Sequence, residues 1–360
     1  MRVLLLVAGT NPRIASEPAK RAAESGEWLR THVFPETLGA VVVNYLDVIE
    51  SNAHHRFLYK FLPKGWATAV EGFRKRASAD VVVTWSEQIT VAFAILQWIF
   101  RDKTPHVAML YWMSKPLVRR TIKYFGSKIS RIVTWSSVQR QYAIDNLNIP
   151  EPRISFVRHF VDERFWHHSN ENEVEEDLVA AVGSEMRDYD TFIEAMRNSP
   201  LRCHIATREI RVTKLGMKAR IYTPEEISKD LPQNITVYPL VITELRKFYD
   251  RAAVVVVPVL PSDTDNGVTV ILEAMAMGKT VICSRICGQV DVIEHGINGF
   301  YVEPQNPEAL RNIIDRVIGD KELQTHIGKN ARAHIEKYHR LELFSESVKK
   351  AVALEVSQLS

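Results

Sequence analysis

The sequence predicts an α/β protein made of two doubly wound, Rossmann-like domains facing a cleft. Three observations predict it. Short β-branched and aliphatic runs alternate with stretches of helical spacing, the series is interrupted once by a polar, acidic stretch, and the same rhythm then restarts. The chain is long enough for this. Its 360 residues, 46% hydrophobic and 25% charged, suffice for two cores of ordinary domain size. The composition excludes disordered, collagen-like and coiled-coil chains.

Taken in order, the first series predicts strands over Val3–Ala8, Ala40–Tyr45, Asp80–Trp85, His106–Tyr111, Arg131–Ser136 and Ile154–Val157. The second predicts them over Leu178–Gly183, Cys203–Thr207, Ile235–Tyr238, Ala253–Pro258, Thr280–Ser284 and Gly299–Val302. Near-continuous apolar strands separated by amphipathic helices belong to parallel sheets covered on both faces. The polar join Ser169-Asn170-Glu171-Asn172-Glu173 lies within 167–177, which places the linker there. Domains are therefore expected over 1–165 and 166–340. A last helix over 341–360 is expected to pack back toward the first domain.

Cys203, Cys283 and Cys287 form an odd set without a nearby histidine cluster, which argues for a reducing compartment and against a zinc site. The opening apolar run is too brief for a signal peptide, and Ile89–Phe100 falls short of the ~20 residues that span a bilayer. A cytoplasmic protein is expected, peripheral at most at the membrane. The net charge of +3 hides an asymmetry, with +10 over residues 1–160 and −7 over 161–360. A positive first half attracts anionic surfaces or substrates. No nucleic acid partner is expected.

Absent motifs narrow the chemistry. After the first strand stands Val7-Ala8-Gly9-Thr10-Asn11-Pro12 rather than a dinucleotide-binding G-x-G-x-x-G turn, and there is no P-loop, G-x-S-x-G elbow or H-E-x-x-H. The informative segment runs from Asp265 to Ile282. Gly278 is placed to stop a helix over Val268–Met277. The loop before that helix lies at the carboxyl edge of the sheet, where the backbone N–H groups of Gly267, Val268 and Thr269 offer a seat for a diphosphate. Asp265 and Glu273, eight residues apart, can face one ligand.

This segment resembles the E-G-F-G-x-x-x-x-E-A-M-A-x-G-x-P-V motif of the retaining nucleotide-sugar glycosyltransferases with the GT-B fold, in particular family 4. Asp265 stands in place of the first Glu and Glu273 keeps the second. Three more stretches agree in order: Val182-Gly183-Ser184-Glu185-Met186-Arg187-Asp188 with the donor turn, Phe160-Val161-Asp162-Glu163-Arg164-Phe165 with the hinge, and Glu294-His295-Gly296-Ile297-Asn298-Gly299 with the E-H-G-x-N-G run. The resemblance implies a metal-independent hexosyltransfer from a UDP- or GDP-linked sugar, with retention. It implies that Glu273 accepts bonds from ribose hydroxyls, that Asp265 holds a sugar hydroxyl, and that Arg187 neutralises the diphosphate. By the same resemblance Gly183, Ser184, Asn266, Gly267, Val268 and Thr269 complete the donor site, so that 166–340 takes the donor and 1–165 the acceptor.

Departures from the pattern are specific. Ser184 stands where the family commonly has Arg, which leaves Arg187 alone or with Arg208 or Lys214. His106 opens its strand and reads as structural, and His159, by the hinge, is the better cleft candidate for the acceptor side. Asp263-Thr264-Asp265 has D-x-D form, but helix amides and Arg187 already supply the positive charge a metal would bring. A nucleotide-sugar 2-epimerase and a non-catalytic nucleotide-sugar binding protein stay open as alternatives. Finally, no Asp or Glu lies between Asp102 and Asp145. Ser114, Pro116 and Gly126 bound a basic amphipathic helix with Val118, Ile122 and Phe125 inward and Arg119, Arg120 and Lys123 outward. Beside Trp112 and Tyr124, this helix is expected to meet anionic lipid and a lipid-linked acceptor.

Overall fold

The computed structural model describes residues 1–8, 17–51, 57, 59–169, 173–207 and 231–357. The chain divides into two compact units, one of residues 1–159 together with 341–360, the other of residues 160–340.

The first unit carries a six-stranded sheet. Its strands are β1 (Val3–Val7), β2 (Ala40–Val43), β3 (Val81–Trp85), β4 (His106–Met109), β5 (Arg131–Thr134) and β6 (Ile154–Phe156), ordered β2-β1-β3-β4-β5-β6. Every pairing is parallel. Parallel strands need crossover helices on the faces, which explains why β1 and β4 are buried along their whole lengths. Helix Lys64–Lys75 covers one part of the sheet by packing Ala69 and Phe73 against Leu4, Leu6 and Phe93.

The second unit repeats the plan. Strands β7 (Glu175–Val182), β8 (Arg202–Ala206), β9 (Ile235–Tyr238), β10 (Ala252–Val257), β11 (Thr280–Ser284) and β12 (Phe300–Val302) are ordered β12-β11-β10-β7-β8-β9, again all parallel. At the centre, Val254, Val255 and Val256 are at most 1% exposed. Full burial of a valine contributes about 1.5–3 kcal/mol, so β10 anchors the unit. All twelve strands lie where the alternation of apolar runs predicts them.

The division of the chain differs from the sequence expectation. Residues 160–165, expected in the first domain, are held in the second unit because Val161 donates its N–H to the His339 carbonyl at 2.9 Å. Trp166 is buried against Tyr249 with ring centroids 5.5 Å apart. The polar residues 170–172 lie outside the described residues. Helix Leu341–Ser357 belongs to the first unit, where Phe344 meets Phe34 and Trp85. There Glu355 forms a buried ion pair with Arg131 at 2.7 Å.

Candidate donor site

Two loops leave the carboxyl edge of the second sheet and are bound to each other. The first follows β7 and the second follows β10. Asp188 N–H donates to the Pro258 carbonyl and Leu260 N–H to the Met186 carbonyl, both at 2.9 Å, and Arg187 pairs with Val259 as an antiparallel bridge. Ser284 at the end of β11 ties in by accepting from Val259 N–H at 3.0 Å.

Both loops turn at glycines over the Arg187 side chain. Gly183 has φ +109°, and a Cβ there would meet Arg187 Nε and Cζ at 2.7 Å. Gly267 has φ +89°, and its Cβ would meet Val257 at 2.8 Å and Arg187 Nη1 at 3.6 Å. Only glycine fits these positions, because the left-handed φ and the lack of space act together. Arg187 is 4% exposed and points inward. Its Nε donates to the Val182 carbonyl and its Nη1 to the Glu185 carbonyl, both at 2.8 Å. Two of its nitrogens thus fasten the turn after β7, and its charge lies beneath that turn.

Helix Val268–Ala276 starts at Gly267. Val268 N–H is donated to the Asp265 carbonyl at 3.1 Å, so it is not one of the open amides expected from sequence. Thr269 is exposed on the first turn, and Val268 is half-buried. Asn266 turns to Ser262, donating at 2.8 Å. Asp265 is 5% exposed, and its carboxylate accepts from Thr264 Oγ1 at 3.2 Å. Glu273, half-buried on the second turn, accepts from Tyr249 Oη at 3.2 Å. Tyr249 is fully buried. Burial first, and then the neighbouring Glu273 carboxylate, holds its hydroxyl well above the ordinary tyrosine range, so it stays a donor. Ser184 is buried in a 2.7 Å hydroxyl pair with Thr207.

The second unit thus collects Gly183, Ser184, Arg187, Asp265, Asn266, Gly267, Val268, Thr269 and Glu273 around two joined loops. His159 belongs to the first unit, where its ring stacks on Trp135 at 4.8 Å. Arg119, Arg120 and Lys123 are exposed on helix Pro116–Phe125 of that same unit. Trp112 is 6% exposed beneath Lys115, and not available beside Tyr124 as the sequence suggests. His106 is fully buried, bonded to Thr84 Oγ1 at 2.9 Å. Arg208 and Lys214 lie outside the described residues.

Sequence reasoning missed Tyr249, Thr207 and the segment after β11. Gly288 packs so tightly on the Thr264 backbone that no side chain fits, and Gln289, 1% exposed, reaches the Asp265 carbonyl at 3.4 Å. The glycine was the one available signal. Nothing in the polar helix Ile242–Arg251 marks Tyr249 as the residue that meets Glu273.

The fold is that of the GT-B glycosyltransferases. Over 98% of this chain and 99% of the other, the structure superposes on Anabaena HepE in complex with UDP and glucose, with a TM-score of 0.70 at 15% identity. Sucrose-phosphate synthase from Thermosynechococcus elongatus gives 0.72 at 16% identity over 99% of this chain and all of that one. Within this fold, residues 162–334 match the family model described as "Glycosyl transferases group 1", a match that supports a group 1 glycosyltransferase. A glycosyltransferase of Methanocaldococcus jannaschii named as uncharacterized is 37% identical over 105 residues, 29% of this chain and 26% of that protein. The matched stretch thus spans about a quarter of that relative's length. Bacillus anthracis N-acetyl-α-D-glucosaminyl L-malate synthase is 22% identical over 91% of this chain and 90% of its own length.

Proposed function

We propose that this protein transfers a hexose from a nucleoside diphosphate sugar to an acceptor, with retention of anomeric configuration and without a metal. The observation that carries this reading is the convergence of the Gly183 and Gly267 turns over the buried Arg187, next to a helix N-terminus and a carboxylate held by a tyrosine. Backbone brought that close, with a positive charge and a helix dipole beneath it, suits a diphosphate. In the reaction the bond between the sugar C1 and the diphosphate oxygen breaks and its electron pair leaves with the diphosphate. Negative charge grows on that oxygen, so preorganised positive groups stabilise the transition state more than the bound substrate. Glu273 accepts from the ribose hydroxyls and Asp265 from a sugar hydroxyl. Retention requires the acceptor oxygen to bond C1 on the face the diphosphate leaves, its proton passing to the departing diphosphate oxygen.

The first unit, with its excess of basic residues, takes the acceptor, which is anionic or lipid-linked. Two comparisons support parts of this reading: HepE was crystallised with UDP and glucose, and the Bacillus relative's name joins a sugar to an acid. The test is incubation with UDP- and GDP-sugars alone. Slow release of free sugar is expected from the donor that raises the melting temperature most; a nucleotide at a hundred times its Kd stabilises by about 2.7 kcal/mol. An epimerised sugar would instead identify a 2-epimerase, and binding without turnover a binding protein. With an acceptor in hand, the anomeric coupling of the product read by NMR decides retention, and unchanged rates in chelator decide the metal.

A further inference from the structure

The first unit leaves a run of three large apolar side chains more than half exposed, although Phe100 meets the core ring of Phe73 with centroids 5.4 Å apart. Helix Glu87–Ile99 ends in Trp98 and Ile99 and is followed by its cap Phe100, and the three are 56%, 55% and 63% exposed. Such a contiguous run at a surface marks a contact site. The neighbouring element is helix Pro116–Phe125. Trp98 packs edge-on against Phe125 at 5.3 Å, which sets the exposed Tyr124 (71%) at the border of the same patch.

The rim is basic. Arg101 and Lys103 follow directly and are exposed, and Arg120 and Lys123 are exposed on the adjacent helix. Lys128 reaches the Asp102 carbonyl at 3.0 Å, which places it at this end of the unit. The acid at this border, Asp102, is paired with Arg76 at 2.5 Å, and no other Asp or Glu occurs before Asp145. Apolar and aromatic tips surrounded by unopposed lysine and arginine complement a bilayer surface, since the rings enter the headgroup boundary while the cations meet anionic lipid.

We infer that Trp98, Ile99, Phe100 and Tyr124, with Arg101, Lys103, Arg120 and Lys123, form a docking surface for an anionic membrane. It rests on the proposed function only in that docking brings the first unit to a lipid-linked acceptor. The binding itself needs no nucleotide.

Vesicles of phosphatidylcholine alone, and of equal parts phosphatidylcholine and phosphatidylglycerol, are mixed with the full chain at low and high salt and sedimented. Binding to the anionic vesicles is expected, with weakening as salt screens the charges. Trp98→Ser/Phe100→Ser is expected to lower partitioning tenfold or more at either salt. Arg120→Glu/Lys123→Glu is expected to abolish the preference for anionic over neutral vesicles. Because Trp98 and Phe100 are exposed, the first variant is expected to keep its melting temperature and its UDP affinity, which separates failure of docking from failure of the donor site. Absence of wild-type binding to anionic vesicles at low salt overturns the inference. So does equal binding by Trp98→Ser/Phe100→Ser, or a wild-type dimer that this variant dissolves while neither form binds vesicles.

Discussion

Tyr249 donates its buried hydroxyl to Glu273 Oε2 at 3.2 Å, so one of the four or so acceptor positions of that carboxylate is already filled from inside the fold. The rest of the carboxylate is oriented by this bond. In Glu273→Gln a charged acceptor becomes an amide that accepts at one atom, and about 1.5–3 kcal/mol of nucleotide affinity is expected to go. Calorimetric titration with UDP and GDP reads this as a loss of about tenfold or more. Tyr249→Phe keeps the packing and removes the bond, and is expected to weaken the nucleotide by only a few-fold. Unchanged affinity in a well-folded Glu273→Gln would rule out the ribose contact.

Arg187 and Asp265 separate by ligand. Arg187→Ala leaves the Val182 and Glu185 carbonyls without their donor, so a stability loss of about 2 kcal/mol or more is expected in denaturant unfolding. Affinity for a nucleoside diphosphate should fall with or without an attached sugar. Asp265→Asn should weaken only the sugar-bearing ligand. Equal losses for both ligands in Asp265→Asn would remove it from the sugar-reading role.

The two turn glycines test whether the loops must come this close. Gly267→Ala places a methyl in contact with Val257 at a left-handed φ, and Gly183→Ala places one within the Arg187 guanidinium. Each is expected to cost about 1–3 kcal/mol of stability. Gly26, also at positive φ but with nothing within 4 Å of its Cβ, serves as the control for φ alone. A loss at Gly267 no larger than in Gly26→Ala would mean the loops can separate at no cost.

His106 gives the first unit a pH dependence. Burial alone pushes its pKa down to about 3. The unfolded chain, with an ordinary value near 6.5, then binds the extra proton between about pH 6.5 and 3, so stability is full above that window and is lost as pH falls through it. From pH 7 to 5 the loss attributable to this group is about 2 kcal/mol. Denaturant unfolding of the wild type and of His106→Asn at the two pH values checks it. The variant is less stable at pH 7 but should lose less on acidification, and parallel losses would show that His106 is protonated in the fold.

The central strands β1, β4, β10 and β11 were legible because they are buried on both faces, so composition alone marks them, whereas the edge strands β2 and β9 are partly exposed and were marked by their β-branched residues. Val254-Val255-Val256 has no other reading in a chain of this rhythm. The helix at Val268 was legible for a related reason, since Gly267 and Gly278 bound an apolar run. The direction in which long polar side chains turn was not. Arg187 bonds carbonyls two and five residues away, a choice made by loop geometry that no spacing records. Trp112 and Trp98 illustrate the same limit among aromatics: one is covered by Lys115 and buried, the other stands in solvent at a helix end. The boundary at residue 159 was hidden because the bond that fixes it joins Val161 to His339, far along the chain.

The first unit is assembled from the two ends of the chain, with the second unit inserted between them. During synthesis its sheet emerges before the second unit, and the helix that shields Phe34 and Trp85 and neutralises the buried Arg131 emerges after it. For the time taken to make the intervening 181 residues, this half of the protein lacks the cover of its aromatic face and the carboxylate that pairs with Arg131. Its completion is therefore timed by its neighbour's translation, and truncation between Arg340 and Phe344 would remove the packing of the half of the molecule that was made first.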